Sequence, residues 1–203
     1  MQLIYHPASP YVRKVRVAAE ELGLTDQIEL VHVDLTIGVY NPEVGASNPI
    51  GKVPALITDD GDALHDSHVI CEYLDSLSNG SRLVPEKAPK RWQVLRLHAL
   101  SDEIILAGQL LRQETVVRPA DQTSPEWMAM QEARINSGLD TAENLADELE
   151  APVNLGQIAL ACAIDWLEFR GLAQPLRKGR GRMFDWFDDF AKRPSMAETR
   201  PVD

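Results

Sequence analysis

Residues 48–67, NPIGKVPALITDDGDALHDS, constrain this chain more than any other stretch. Pro54 enters a strand-like apolar run, Ala55-Leu56-Ile57, and Asp66-Ser67 opens a helical pattern that ends near Leu77. A proline at the first residue of a strand leaves one ladder position without a donor. A cis bond before it, a feature almost confined to proline, would turn the backbone just upstream outward, free to pair with something extended. At a helix start, the first-turn N–H groups and the positive end of the dipole favour a carboxylate. An extended edge about a dozen residues before such a helix start suits a short peptide that ends in a carboxylate.

Residues 2–6 read as a first strand. His6-Pro7-Ala8-Ser9 is a loop, and Pro10 begins a helix that Gly23 stops. Val12, Val15, Ala19 and Leu22 fall on one face at helical spacing. Residues 28–35, IELVHVDL, are a second strand rich in β-branched side chains, so the first 35 residues form a right-handed parallel crossover. Residues 36–47 hold a short helix at most. The Pro54 strand, a turn at Asp59–Asp62, a brief strand at Ala63-Leu64 and the Asp66-Ser67 helix complete the first domain, 1–78. Residues 79–90, with Gly, two Pro and few apolar side chains, read as a linker, and 91–203 as an all-helical domain.

In that second domain Val94, Leu97, Ser101, Ile104, Gly108 and Leu111 alternate by three and four. Ile135, Leu139, Ala142, Leu145 and Leu149 mark another helix. Asn154 and Gln157 form a capping box before IALACAI, a run apolar all round and therefore central and buried. A last helix, 183–191, presents Phe184, Phe187 and Phe190. Trp92, Trp127, Trp166 and Trp186 read as core residues.

Four pieces in order, MQLIYHPASPYVRKVRVAAEELGL, the Pro54 stretch, VNLGQIALACAIDWLEFR and RPSMAETRP, resemble the soluble glutathione S-transferases, with a bacterial-like, serine-type site. The resemblance reaches across nearly the whole chain. It implies an α/β thioredoxin-like N-terminal domain followed by an all-α C-terminal domain. It also implies a cis Val53-Pro54 bond whose Val53 backbone pairs with the cysteinyl unit of glutathione. Asp66, one methylene shorter than the commoner Glu, and Ser67 would hold the γ-glutamyl end, and Lys52 the glycyl carboxylate. Asn and Gln replace the commoner Ser/Thr and Asp of the family's capping box, which should weaken the cap rather than abolish it.

SPYVRKVR resembles the stretch in which the family places its catalytic Tyr, Ser or Cys. Ser9 would there donate a hydrogen bond to the glutathione sulfur and favour thiolate, as an oxyanion-hole donor does. By itself, Ser before Pro at a helix start is more readily explained as an N-cap than as a catalyst, and Ser67 has the same cap reading. Arg13 or Arg16 adds field or is solvated. A Cys at position 9 would suggest thiol–disulfide exchange; Ser suggests addition or substitution by bound thiolate. Tyr5 and Tyr11 are rival hydroxyls. The electrophile pocket is expected between the domains, near Tyr11, Ile104 and Gly108.

The net charge of −11 argues against nucleic acid, which needs a basic face. No run is long and apolar enough to span a membrane, and the first ten residues do not read as a signal peptide. Cys71 and Cys162 lie in apolar helical patterns and make no disulfide framework. No His/Cys/Asp grouping has metal-ligand spacing. A cytoplasmic homodimer that uses glutathione as co-substrate and no metal is the expectation. The rivals are a glutathione-dependent isomerase or dehalogenase, and a non-catalytic relative such as the stringent starvation proteins, which bind RNA polymerase. Intact Lys52, Asp66 and Ser67 disfavour the latter.

Overall fold

The computed structural model describes residues 1–78 and 82–203; Asn79, Gly80 and Ser81 of the expected linker lie outside the described residues. The chain forms two compact units, 1–86 with 194–203, and 87–193. The last ten residues, read from sequence as part of the helical domain, therefore pack with the first unit.

The first unit is built on a four-stranded mixed sheet, order β2-β1-β3-β4. Its strands are β1 (Gln2–Tyr5), β2 (Glu29–His32), β3 (Ala55–Ile57) and β4 (Ala63–His65). β1 runs parallel to β2 and antiparallel to β3, which is antiparallel to β4. The helices are α1 (Pro10–Glu21), α2 (Pro42–Gly45) and α3 (Ser67–Leu77). α1 buries Val12, Val15, Ala18 and Ala19, and α3 buries Ile70, Cys71 and Leu74, so the two apolar stripes pack together. Each fully buried aliphatic side chain contributes about 1.5–3 kcal/mol. This is the thioredoxin-like arrangement the sequence implies, with β2 shorter than the expected 28–35.

The second unit comprises α4 (Lys90–Val116), α5 (Pro125–Asn144), α6 (Leu155–Arg170) and α7 (Gly181–Phe190); α8 (Pro194–Ala197) belongs with the first. α6 is buried without interruption from Leu155 to Ile164 and packs on α4. Its capping box is complete: Asn154 Oδ1 accepts from Gln157 N at 3.2 Å, and Gln157 Oε1 accepts from Asn154 N at 2.9 Å. Gln157 Nε2 also donates to the carbonyls of Leu149 and Ala151, which an aspartate there could not do. The helix predicted through Leu149 gives way at Leu145, and Ala146–Glu150 is a 3-10 turn whose Leu149 carbonyl Gln157 takes.

Of the tryptophans expected in the core, Trp166 is buried, but Trp92 and Trp127 are exposed on the polar sides of α4 and α5. Cys71 and Cys162 are buried, and neither forms a disulfide. Among the described residues, no helix is long and apolar enough to cross a membrane.

Candidate functional site

The sheet register gathers the sequence-predicted residues of the first unit at one edge. Ala55 lies opposite His65 in the β3–β4 ladder and opposite Ile4 in the β1–β3 ladder. Pro54, Asp66 and the loop leading from Tyr5 to Ser9 therefore leave the sheet from the same end.

The Val53-Pro54 bond is cis, as expected. The backbone N–H and C=O of Val53 make no hydrogen bond among the described residues. Its side chain packs with Val12, Val33 and Val44, which ties this turn to the first turn of α1. The loop before it is held by a residue that sequence reading gave no role, Asn48. That side chain is 4% exposed; its Nδ2 donates to the Lys52 carbonyl at 2.7 Å and its Oδ1 accepts from Ile50 N at 3.1 Å. An Asn heading the NPIG turn was the available signal. Gly51 completes the turn with φ +69° and lies against the Tyr40 ring, where any Cβ would clash. Lys52 is exposed, and its ammonium has no partner among the described residues.

Asp66 is the N-cap of α3. Its Oδ1 accepts from His68 N at 2.8 Å, and its backbone sits at φ 68°, ψ 125°, a strained region for a non-glycine residue. Ser67, expected as a rival cap, is instead the first helical residue, buried, with its hydroxyl unbonded among the described residues.

Ser9 is the N-cap of α1, with Pro10 at the first helical position. Its Oγ accepts from Val12 N at 3.3 Å, and its carbonyl accepts from Arg13 N at 3.0 Å. The hydroxyl proton is engaged by nothing among the described residues. His6 shapes the approach: its carbonyl accepts from Ser9 N and its Nδ1 from Ala8 N. Tyr11 is half-buried, with Lys14 Nζ 5.6 Å from its ring centre.

Neither arginine offered as a source of field is simply solvated. Arg13 is 2% exposed and bonded to the C-terminal segment. Arg16 lies over the Tyr5 ring; burial pushes its pKa down, opposed by Tyr5 and reinforced by Arg13.

Ile104 and Gly108 belong to the second unit and are buried there. Gly108 carries no Cβ because Trp166 and Leu167 occupy that space. Ile104 packs into the room left by Gly138 and lines a cleft of about 640 Å³ between α4 and α5. No grouping of ligating side chains for a metal exists among the described residues.

The glutathione S-transferase N-terminal domain model matches residues 3–82, which contain Ser9, Val53-Pro54 and Asp66-Ser67. An Escherichia coli K12 protein described as an uncharacterized GST-like protein, YibF, is 34% identical over 99% of this chain and 98% of its own length. The chain belongs to the glutathione S-transferase family. Among solved glutathione transferase family structures, one from Pseudomonas fluorescens Pf-5 with bound glutathione is 35% identical, with a TM-score of 0.96 over 100% of this chain and 99% of its own. A glutathione S-transferase from Methylobacillus flagellatus KT, also with glutathione bound, is 30% identical over 99% of each chain, with a TM-score of 0.85. Within this family member, then, the edge carrying Ser9, Val53 and Asp66 lies wholly inside the matched N-terminal domain.

Proposed function

We propose that this family member binds glutathione at the Ser9–Val53–Asp66 edge, favours its thiolate and conjugates it to an apolar electrophile. The observation that carries the proposal is the unpaired backbone of Val53, one residue before a cis proline and in register with the N-terminus of α3. An extended cysteinyl unit would pair there through its own N–H and C=O. Asp66 and Ser67 would take the γ-glutamyl end, and the unpartnered ammonium of Lys52 the glycyl carboxylate. Ser9 Oγ, accepting from Val12 N, still has a proton to donate to sulfur. The bound thiolate then attacks carbon. With a halide, the C–X bond breaks as the S–C bond forms and halide leaves; with an enone, sulfur adds and the carbanion takes a proton.

Tyr11 is the proposed electrophile contact on α1. For Ile104 and Gly108 the burial within the helical unit favours a packing role. Homodimer assembly is also proposed. It is supported by the open α4–α5 cleft, where buried Gln131 Nε2 has no acceptor, and by the exposed apolar group Val39, Tyr40 and Ile50.

The test is titration calorimetry with glutathione, followed by turnover with halo-aromatics, epoxides, enones and peroxides. Binding with conjugation supports the proposal. Binding followed by release of free glutathione and a rearranged or dehalogenated product would move the reading to an isomerase or dehalogenase. No retention on immobilised glutathione would move it to an interaction protein.

A further inference from the structure

The first helix is gripped by the far end of the chain. Residues 194–203 rejoin the first unit, and α8 packs on α1. Arg13 Nη2 donates to the Met196 carbonyl at 3.0 Å, and Arg13 Nε donates to Thr199 Oγ1 at 3.4 Å. Thr199 Oγ1 in turn donates to the Ser195 carbonyl at 2.6 Å. At the other end of α1, Ser195 Oγ donates to Glu21 Oε1 at 2.6 Å. Arg13, Ser195, Met196 and Thr199 are all at most 5% exposed. The contacts join residues 174 to 186 positions apart in the chain.

Burying a guanidinium is costly, and apolar side chains could hold α8 against α1 more cheaply. Directional bonds add something apolar packing lacks: they fix the rotation and axial position of the helix. What that position controls is its first turn. Arg13 N donates to Ser9 O, and Val12 N donates to Ser9 Oγ. The donor geometry at Ser9 is therefore set by the same turn that the guanidinium pins. Misplacement by about 1 Å at a reacting group can cost on the order of a hundredfold in rate.

We propose that residues 194–199 form a strap that positions the first turn of α1, with Arg13 and Thr199 acting as positioning residues for thiol activation at Ser9. The proposal rests on the glutathione-thiolate reading above. Among the described residues, the hydrogen bonds from the strap to the rest of the first unit fall on α1, whereas the proposed Val53 and Asp66 contacts lie at β3 and α3. Releasing it should therefore change chemistry rather than affinity.

The test is Thr199→Val, which keeps the volume and removes both hydrogen bonds, with Thr199→Ser as the restoring variant. Assays run well below the melting temperature of each protein. The expected result for Thr199→Val is a kcat at neutral pH about tenfold lower, a bound-thiol pKa raised by about one unit, and KM for glutathione within about twofold. Thr199→Ser should behave as wild type. Amide exchange at Val12 and Arg13 should quicken in Thr199→Val and not in Thr199→Ser. A lower melting temperature with an unchanged thiol titration and unchanged exchange at those amides would overturn the proposal and leave the strap as packing only. If the wild-type protein binds no glutathione, the functional reading falls by itself. Unchanged exchange at Val12 and Arg13 in Thr199→Val would then still overturn the strap. Arg13→Lys, which keeps the charge but removes the Nε donor that meets Thr199 Oγ1, provides the same readout should Thr199→Val fold poorly.

Discussion

Ala55 stands opposite His65, so Pro54 and Asp66 each sit one residue beyond a paired position, at the same end of the sheet. Asp66 holds a second role there as the α3 N-cap. Removing it outright would mix binding with stability.

Asp66→Asn separates the two. Asn caps helices as well as Asp and tolerates positive φ, so melting should shift little. Losing the charge should raise KM for glutathione about tenfold or more, because a charge-assisted hydrogen bond contributes roughly 1.5–3 kcal/mol. Turnover at saturating glutathione should hardly change, because the γ-glutamyl group is remote from sulfur. Steady-state kinetics over a glutathione series decide it, and a collapsed kcat with normal KM would exclude this role.

Ser9→Ala tests cap against donor. Loss of the cap should cost about 1 kcal/mol, read by urea denaturation. Loss of the donor should raise the bound-thiol pKa by about one unit or more, followed by thiolate absorbance, with the rate deficit largest at neutral pH and closing as pH rises. Ser9→Cys should attack oxidised glutathione: the introduced thiolate forms a mixed disulfide as the glutathione disulfide breaks and one glutathione thiolate leaves. An unmodified side chain, with ligand still bound, would mean that position 9 does not face sulfur.

Gly108→Ala should destabilise the second unit. In an open helix the change would gain about 1 kcal/mol. Here the new Cβ would lie 2.8 Å from Trp166 Cζ3 and 3.0 Å from Leu167 Cδ2, and an indole ring within a packed core has little freedom to move. A net loss of about 1–2 kcal/mol is expected from overpacking. Denaturant midpoints measure it, and an unchanged or raised midpoint would count against the packing role.

Asp188→Asn should matter only above acid pH. Arg177 forms a two-bond pair with Asp188 and also donates to Glu168. The hydrogen bond to Arg177 holds the Asp188 carboxyl below its usual range, and the guanidinium is correspondingly raised. A depressed carboxylate stabilises the fold above its ordinary pKa, and the contribution is lost as pH falls through the depressed value. Both side chains are about half exposed, at 49% and 52%, so screening limits the effect to less than about 1 kcal/mol at neutral pH. Wild type and variant should converge as pH falls through the depressed Asp188 value, and added salt should narrow their gap at pH 7.

The sequence by itself determined the local elements and their order. Proline at the start of β3, Ser9-Pro10 before α1, Asn154 with Gln157 before α6, and apolar residues at spacings of two or three to four act within a turn or a strand, so they are legible from neighbours alone. The same locality made the cap role of Ser9 visible, whereas at α3 the structure gives the cap to Asp66 and not to Ser67. Tertiary structure decided what lies far apart in the chain. The β3–β4 register sets Pro54 beside Asp66, Trp166 fills the room above Gly108, and Thr199 meets Arg13 across 186 residues. An apolar stripe states that a helix has a buried face, but not which residue covers it. Gly108 and Ile104 therefore read as pocket residues, and the structure adds that both are buried within the helical unit, with Ile104 also lining the α4–α5 cleft. A buried arginine leaves no local trace either: nothing beside Arg13 in the sequence announces that its guanidinium is buried and bonded to Met196 and Thr199.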